Sequence, residues 1–146
     1  MATNNVINGT DIGIYISTTS DGTYTLVAFS TDASLSLAME TRDVTNKDSL
    51  GWRTLLESTR SGSISGNFLY AERDSAAADQ FNFVDLYDYY YARTPLFVKF
   101  NTAVSGDTYF KSGCYLTSLE ASAPTEDNTS CSLTLELTGA ITKATN

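Results

Sequence analysis

The side chains able to do chemistry are few in this sequence and poorly assorted. There is no histidine, so the usual general base and the commonest metal ligand are both missing. A serine nucleophile would then need a lysine-based variant, and no motif for one occurs. Cys114 and Cys131 likewise have no imidazole partner. Asp85 and Asp88 fall at helical spacing and could supply the paired carboxylates of a glycoside hydrolase. A solvated helix face explains them more simply. Tyr87, Tyr89, Tyr90 and Tyr91 could stack on a sugar, but most of them fall on or near an apolar arc, where core packing is the better account. No phosphate-binding glycine loop, Cys/His cluster or calcium-loop spacing is present. The expectation is a protein with no catalytic residue, no cofactor and no metal.

What the chain offers instead is a set of alternating segments. Ala33, Leu35, Leu37 and Met39 alternate with Asp32, Ser34, Ser36, Ala38 and Glu40, the period of a half-buried strand. Gly62, Ile64, Gly66, Phe68 and Tyr70 alternate with Ser61, Ser63, Ser65 and Asn67. Nearer the end, Tyr115, Thr117, Leu119 and Ala121 oppose Leu116, Ser118, Glu120 and Ser122. Cys131, Leu133, Leu135, Leu137 and Ile141 then face a core and leave Ser132, Thr134, Glu136 and Thr138 outside. Further strands are expected at Ile12–Ser17, Tyr24–Ser30, Leu96–Phe100 and Thr108–Lys111, with a turn at Asp21-Gly22. One helix is expected, capped by Asp74 or Ser75 and ending near Arg93, ahead of Pro95. Its apolar arc would hold Ala76, Phe83, Val84, Leu86, Tyr87, Tyr90 and Tyr91, with Asp85 and Asp88 on the far side. The fold class is mainly β with one α-helix, a β-sandwich or half-barrel with the helix packed beside it. A chain of 146 residues suits one domain over residues 1–146, with residues 1–10 as an N-terminal arm.

Charge narrows the function classes. The formal net charge is −8, which disfavours a nucleic-acid grip, since that requires Lys and Arg to neutralise phosphates. The first residues have neither a basic head nor an apolar core, and no apolar run approaches the ~20 residues that span a bilayer. Neither export nor a membrane partner is expected. A turn centred near Glu126 sets Cys131 opposite Ala121, not Cys114, so two reduced, packed thiols are expected. The outward faces share a peculiarity. Asp32, Ser34, Ser36 and Glu40, Ser63, Ser65 and Asn67, Ser118 and Glu120, and Thr134 and Glu136 include no Lys or Arg. Solvated faces commonly mix both signs, and Lys guards sheet edges. A face of small and acidic residues suits a channel wall, past which DNA would slide, repelled weakly and gripped nowhere.

Between two of these segments lies a stretch, residues 41–60, too long for a tight hairpin turn. It holds the only tryptophan, Trp52, with Asp43, Lys47, Asp48, Arg53, Leu55 and Leu56. Disordered segments are poor in such residues, so the reading is an ordered loop that contacts other subunits. The pattern Asp43-Val44-Thr45, a Lys-Asp-Ser turn, Gly51-Trp52-Arg53, Leu55-Leu56 and then Ser61-Gly62-Ser63-Ile64-Ser65-Gly66 resembles the tail tube (major tail) proteins of long-tailed phages. It is most similar to the family named for the lactococcal phage TP901-1, and also to the tube proteins of gene transfer agents. The resemblance extends weakly over the whole chain.

The resemblance implies a structural virion protein whose inner sheet joins a ring-wide barrel. Hexameric rings of it would stack into a tube that conducts phage DNA through the lumen without binding it. The long loop would reach the adjacent ring. The implied partners are further copies of the chain and the tape measure, tail terminator and distal tail proteins. Synthesis and assembly would take place in the host cytoplasm. Leu50 departs from the pattern, standing where relatives often have a small residue, and no second domain for tail decoration is visible. The alternatives are the tube protein of a contractile injection system and, more remotely, a secreted β-sandwich binding module.

Overall fold

Period-two alternation builds a single sheet. A computed structural model describes residues 9–27, 30–70, 82–102 and 104–145. After a short turn of 3-10 helix at Gly9–Asp11 come β1 (Ile12–Ser17), β2 (Thr25–Leu26) and β3 (Ser30–Asp43). A second 3-10 turn at Lys47–Ser49 leads to β4 (Leu55–Leu69), then α1 (Phe83–Ala92), β5 (Leu96–Thr102), β6 (Thr108–Ser122) and β7 (Ser130–Thr145). The strands form one seven-stranded sheet in the order β2-β1-β5-β6-β7-β4-β3, and every pairing is antiparallel.

The sheet curls so that both halves bury the same core. Ile14 and Ile16 of β1 and Val98 of β5 cluster with Ile64 and Phe68 of β4 and with Leu133 and Leu135 of β7. Gly66 marks the closest approach. A methyl group there would lie 2.8 Å from Ile14 Cδ1 and 2.7 Å from the Asp32 carbonyl oxygen, so only glycine lets the strands come together. The half-barrel form of the expected fold is the one realised. Cys131 pairs with Ala121, and Cys114 with Leu137. Both cysteines are buried and free, and burial pushes the Cys114 thiol up to about 12.

Four expectations need correction. Residues 41–60 are not one long loop, because β3 and β4 stay paired out to Asp43↔Leu55. The connection shrinks to residues 44–54, and Leu55 and Leu56 belong to a strand. β6 is continuous where two strands were expected, and a bulge between Leu116 and Ser118 breaks its alternation. Cys114 and Leu116 therefore face the core while Tyr115 faces out, the reverse of simple period two. The helix begins at Phe83, with Asn82 as its N-cap in a reciprocal capping box with Asp85. The expected caps Asp74 and Ser75, and the helical start at Ala76, lie outside the described residues. Lastly, Leu86 is the buried residue of α1, whereas Val84, Tyr87, Tyr90 and Tyr91 are exposed. These three tyrosines are not core, whereas Tyr89 packs against it.

Candidate channel wall and assembly hairpin

Register brings the expected wall residues together. Across β6, β7, β4 and β3 one row reads Glu120, Ser132, Asn67, Asp32. The next reads Ser118, Thr134, Ser65, Ser34, and the one after it Tyr115, Glu136, Ser63, Ser36. Residues directly opposite in a sheet share a face, so these rows form one continuous surface. Ser34 and Ser65 hydroxyls lie 3.3 Å apart, and the Asn67 amide donates to Asp32 at 3.5 Å. Asp32, Glu120 and Glu136 are exposed, and none of these positions carries a cation. Glu40 falls at a bulge between Met39 and Thr41, exposed at the margin. Two row members, Tyr115 and Ser132, were not among the expected wall residues. Tyr115 was hidden by the β6 bulge.

The β3–β4 hairpin leaves the sheet beyond that bulge. Pairing of β4 with β7 stops at Ser63↔Glu136. From there the strands fork around a cleft of about 690 Å³, lined by Ser58 to Gly62 and by Leu137 to Ile141. The hairpin tip is held by its own polar groups. The Val44 amide donates to the Thr54 carbonyl at 2.9 Å, the Thr54 amide to Thr45 Oγ1 at 2.8 Å, and the Thr45 amide to Asp43 Oδ1 at 2.9 Å. Arg53 Nε sits 3.6 Å from Asp43 Oδ2. These Thr45 contacts, reinforced by Arg53, hold the Asp43 carboxyl below its ordinary value. Asn46 caps the Lys47–Ser49 turn, whose first residues include Asp48.

That scaffold displays apolar side chains to water. Leu50 adopts the left-handed region at φ 51, and Gly51 follows at φ 83. Leu50 is 87% exposed and Trp52 79%. Leu37, Met39, Leu55 and Leu56 on the arms are also exposed. A residue other than glycine at positive φ stores backbone strain, and here that conformation leaves a large apolar group facing outward. Leu50 was not among the expected contact residues. Its signal was present in the sequence, as an apolar residue in a polar turn just before glycine.

Among the described residues, no group of three or more Cys, Asp or Glu could hold a metal. What the described residues assemble is one shared face of polar and acidic side chains, with Tyr115 in its third row, and a hairpin tip that exposes apolar ones. Residues 6–143 match the model of the phage tail tube protein family, and the chain belongs to that family. The family is structural rather than enzymatic, and its members are virion components. The match is to the tail tube family as a whole and does not single out the relatives of phage TP901-1.

No curated protein matches the chain by sequence. Among solved structures, the fold is similar to the tail of an empty gene transfer agent particle, refined helically with C6 symmetry. That likeness has a TM-score of 0.77 and 23% identity over 95% of this chain and 99% of the other. The SPP1 tail tube gives a TM-score of 0.74 at 15% identity, covering 97% of this chain and 80% of that one. A chain of the anti-feeding prophage baseplate gives 0.64 at 11% identity over 99% and 97%.

Proposed function

We propose that this tail tube protein assembles as hexameric rings, stacked into a tube whose bore conducts DNA from capsid to host cell. The observation that carries the reading is the wall, three aligned rows over four strands in which every residue but Tyr115 is small and polar or acidic. Joined around a ring, such faces would line a lumen that repels phosphate weakly and offers it no cation to hold. The sixfold symmetry of the gene transfer agent tail supports six copies per ring. The hairpin, with Asp43, Lys47, Asp48, Trp52, Arg53, Leu55 and Leu56, would make the contacts between subunits. The tape measure protein would fill the tube before the DNA does, and the terminator and distal tail proteins would close its ends. The likeness to a baseplate chain of the anti-feeding prophage keeps a second reading, the tube of a contractile injection system. Negative-stain images of the concentrated protein test assembly, with sixfold rings or uniform tubes expected. DNA within tails of particles carrying the chain separates the two readings. Monodisperse protomers at every concentration would refute both.

A further inference from the structure

Among the described residues, two groups of exposed apolar side chains lie on opposite edges of the wall sheet. One is the hairpin tip, with Leu50 and Trp52. The other is α1, where Val84, Tyr87 and Tyr91 form one helical stripe, and Tyr91 is 77% exposed. β5 pairs with β6 only as far as Cys114, and α1 lies against β6 on the stretch β5 leaves unpaired. The helix therefore flanks the β6 edge, while the hairpin extends the β3 edge. Tyr90, Tyr91 and Arg93 of the helix end combine with Tyr115 to line a recess of about 550 Å³.

We propose that this tyrosine-lined recess is the seat of the Leu50–Trp52 tip of a second copy of the chain. The inference rests on the tube reading and names the surface that the hairpin meets. The two surfaces are unlike and sit at opposite edges, so their contact is head-to-tail, the kind that closes rings or propagates as a stack. A self-paired twofold contact would instead need one patch to fit itself. Size agrees, because roughly 300–1,000 Å³ is the range of pockets that bury compact apolar groups. The chemistry agrees as well. Arg93 takes the left-handed conformation at the helix end (φ 55) and lines the recess with the tyrosines, and Trp, Tyr and Arg are the residue types enriched at binding hot spots.

The test places the photo-cross-linking residue p-benzoylphenylalanine at Trp52 in the full chain. Light and heavy isotope copies are mixed so that links between copies are identified by mass. Links from position 52 to residues 84–94 or 115–116 of another copy are expected, and links confined to other segments overturn the docking. Tyr91→Ser should raise the concentration needed for assembly about tenfold, as loss of one hot-spot contact does. The protomer melting temperature should not change, and Tyr91→Phe should restore assembly. A Tyr91→Ser chain that assembles at the wild-type concentration counts against the recess. Rings in which position 52 links elsewhere remove this docking alone, whereas a wild-type chain that never forms rings removes the tube reading with it.

Discussion

Reversing the charge of the wall tests its role most directly. Glu120 and Glu136 are exposed and lie on the same face, Glu120 opposite Ser132 on β7 and Glu136 further along that strand. At about 3.3 Å per residue the two positions are roughly 13 Å apart along the strand, a distance over which DNA carries about eight phosphates. Replacing both with Lys moves each site by about two charge units. Exposed substitutions of this kind usually change stability by no more than about 0.5 kcal/mol, a melting shift of about 1–2 °C in a chain of this size. The fold should persist and tubes should form. In a sixfold ring about twelve lysines would then face the bore, and engagement of even half resembles a protein with about six phosphate contacts. Such a protein loses about a thousandfold in affinity between 50 and 200 mM salt. Particles carrying Glu120→Lys and Glu136→Lys should therefore release DNA slowly at 20–50 mM salt and regain near-normal rates above about 200 mM, as screening shortens to under 8 Å. The assay is DNA release from purified, receptor-triggered particles across a salt series. Release at wild-type rates at every salt concentration would refute the wall as a DNA-passing surface.

Further outcomes at three residues follow from the same geometry. Trp52→Ala should weaken assembly by about 2 kcal/mol, roughly thirtyfold, with little change in protomer melting. Trp52 emission should shift to the blue when subunits assemble, as the exposed indole leaves water, and an unshifted spectrum would contradict burial at an interface. The Asp43 carboxyl is held below its ordinary value by Thr45 and then Arg53, so its support of the tip is complete above about pH 4. That support fades as pH falls through the lowered value, and loss of the Thr45 amide's distinct NMR shift would report it. Cys114, pushed up to about 12 by burial, should resist alkylation in the native chain at pH 8. Its neutral thiol contributes fully below about pH 9, and that contribution is lost as pH rises towards 12, which thermal melts in alkaline buffers would detect.

The shared polar face was legible in the sequence because a strand's faces repeat every second residue, and Ser34, Ser65 and Thr134 keep that period without interruption. The position of Cys131 opposite Ala121 was legible for the same reason, once the turn was placed. Legibility failed where the backbone departs from regular geometry. The bulge at Thr117 inserts one residue, so Leu116 turns inward and Tyr115 outward, and no residue type there announces it. Residues 41–43 and 55–60 read as loop because their side chains are mixed in polarity. Their partners are each other, so they have no buried face to impose a period. The tyrosines of α1 read as core because aromatic residues at helical spacing usually are, and a face destined for another molecule carries the same composition. Glu40 lay in the right region, but the bulge beside it leaves it at the margin rather than in a row.

The fork between β4 and β7 has a consequence for how the protein keeps time. Past Ser63 the hairpin is a two-stranded ribbon with its outer edges unpaired, and such ribbons are marginal on their own in water. Its backbone amides should exchange with solvent through local opening, far faster than those of the buried strands behind Gly66. A subunit in solution would thus keep a firm body and a briefly fraying arm. Incorporation would clamp the arm, so protection of the amides in residues 41–44 and 54–60 would appear only when a neighbour arrives. Deuterium uptake in those few residues is then a clock for polymerisation, readable while the rest of the molecule stays silent.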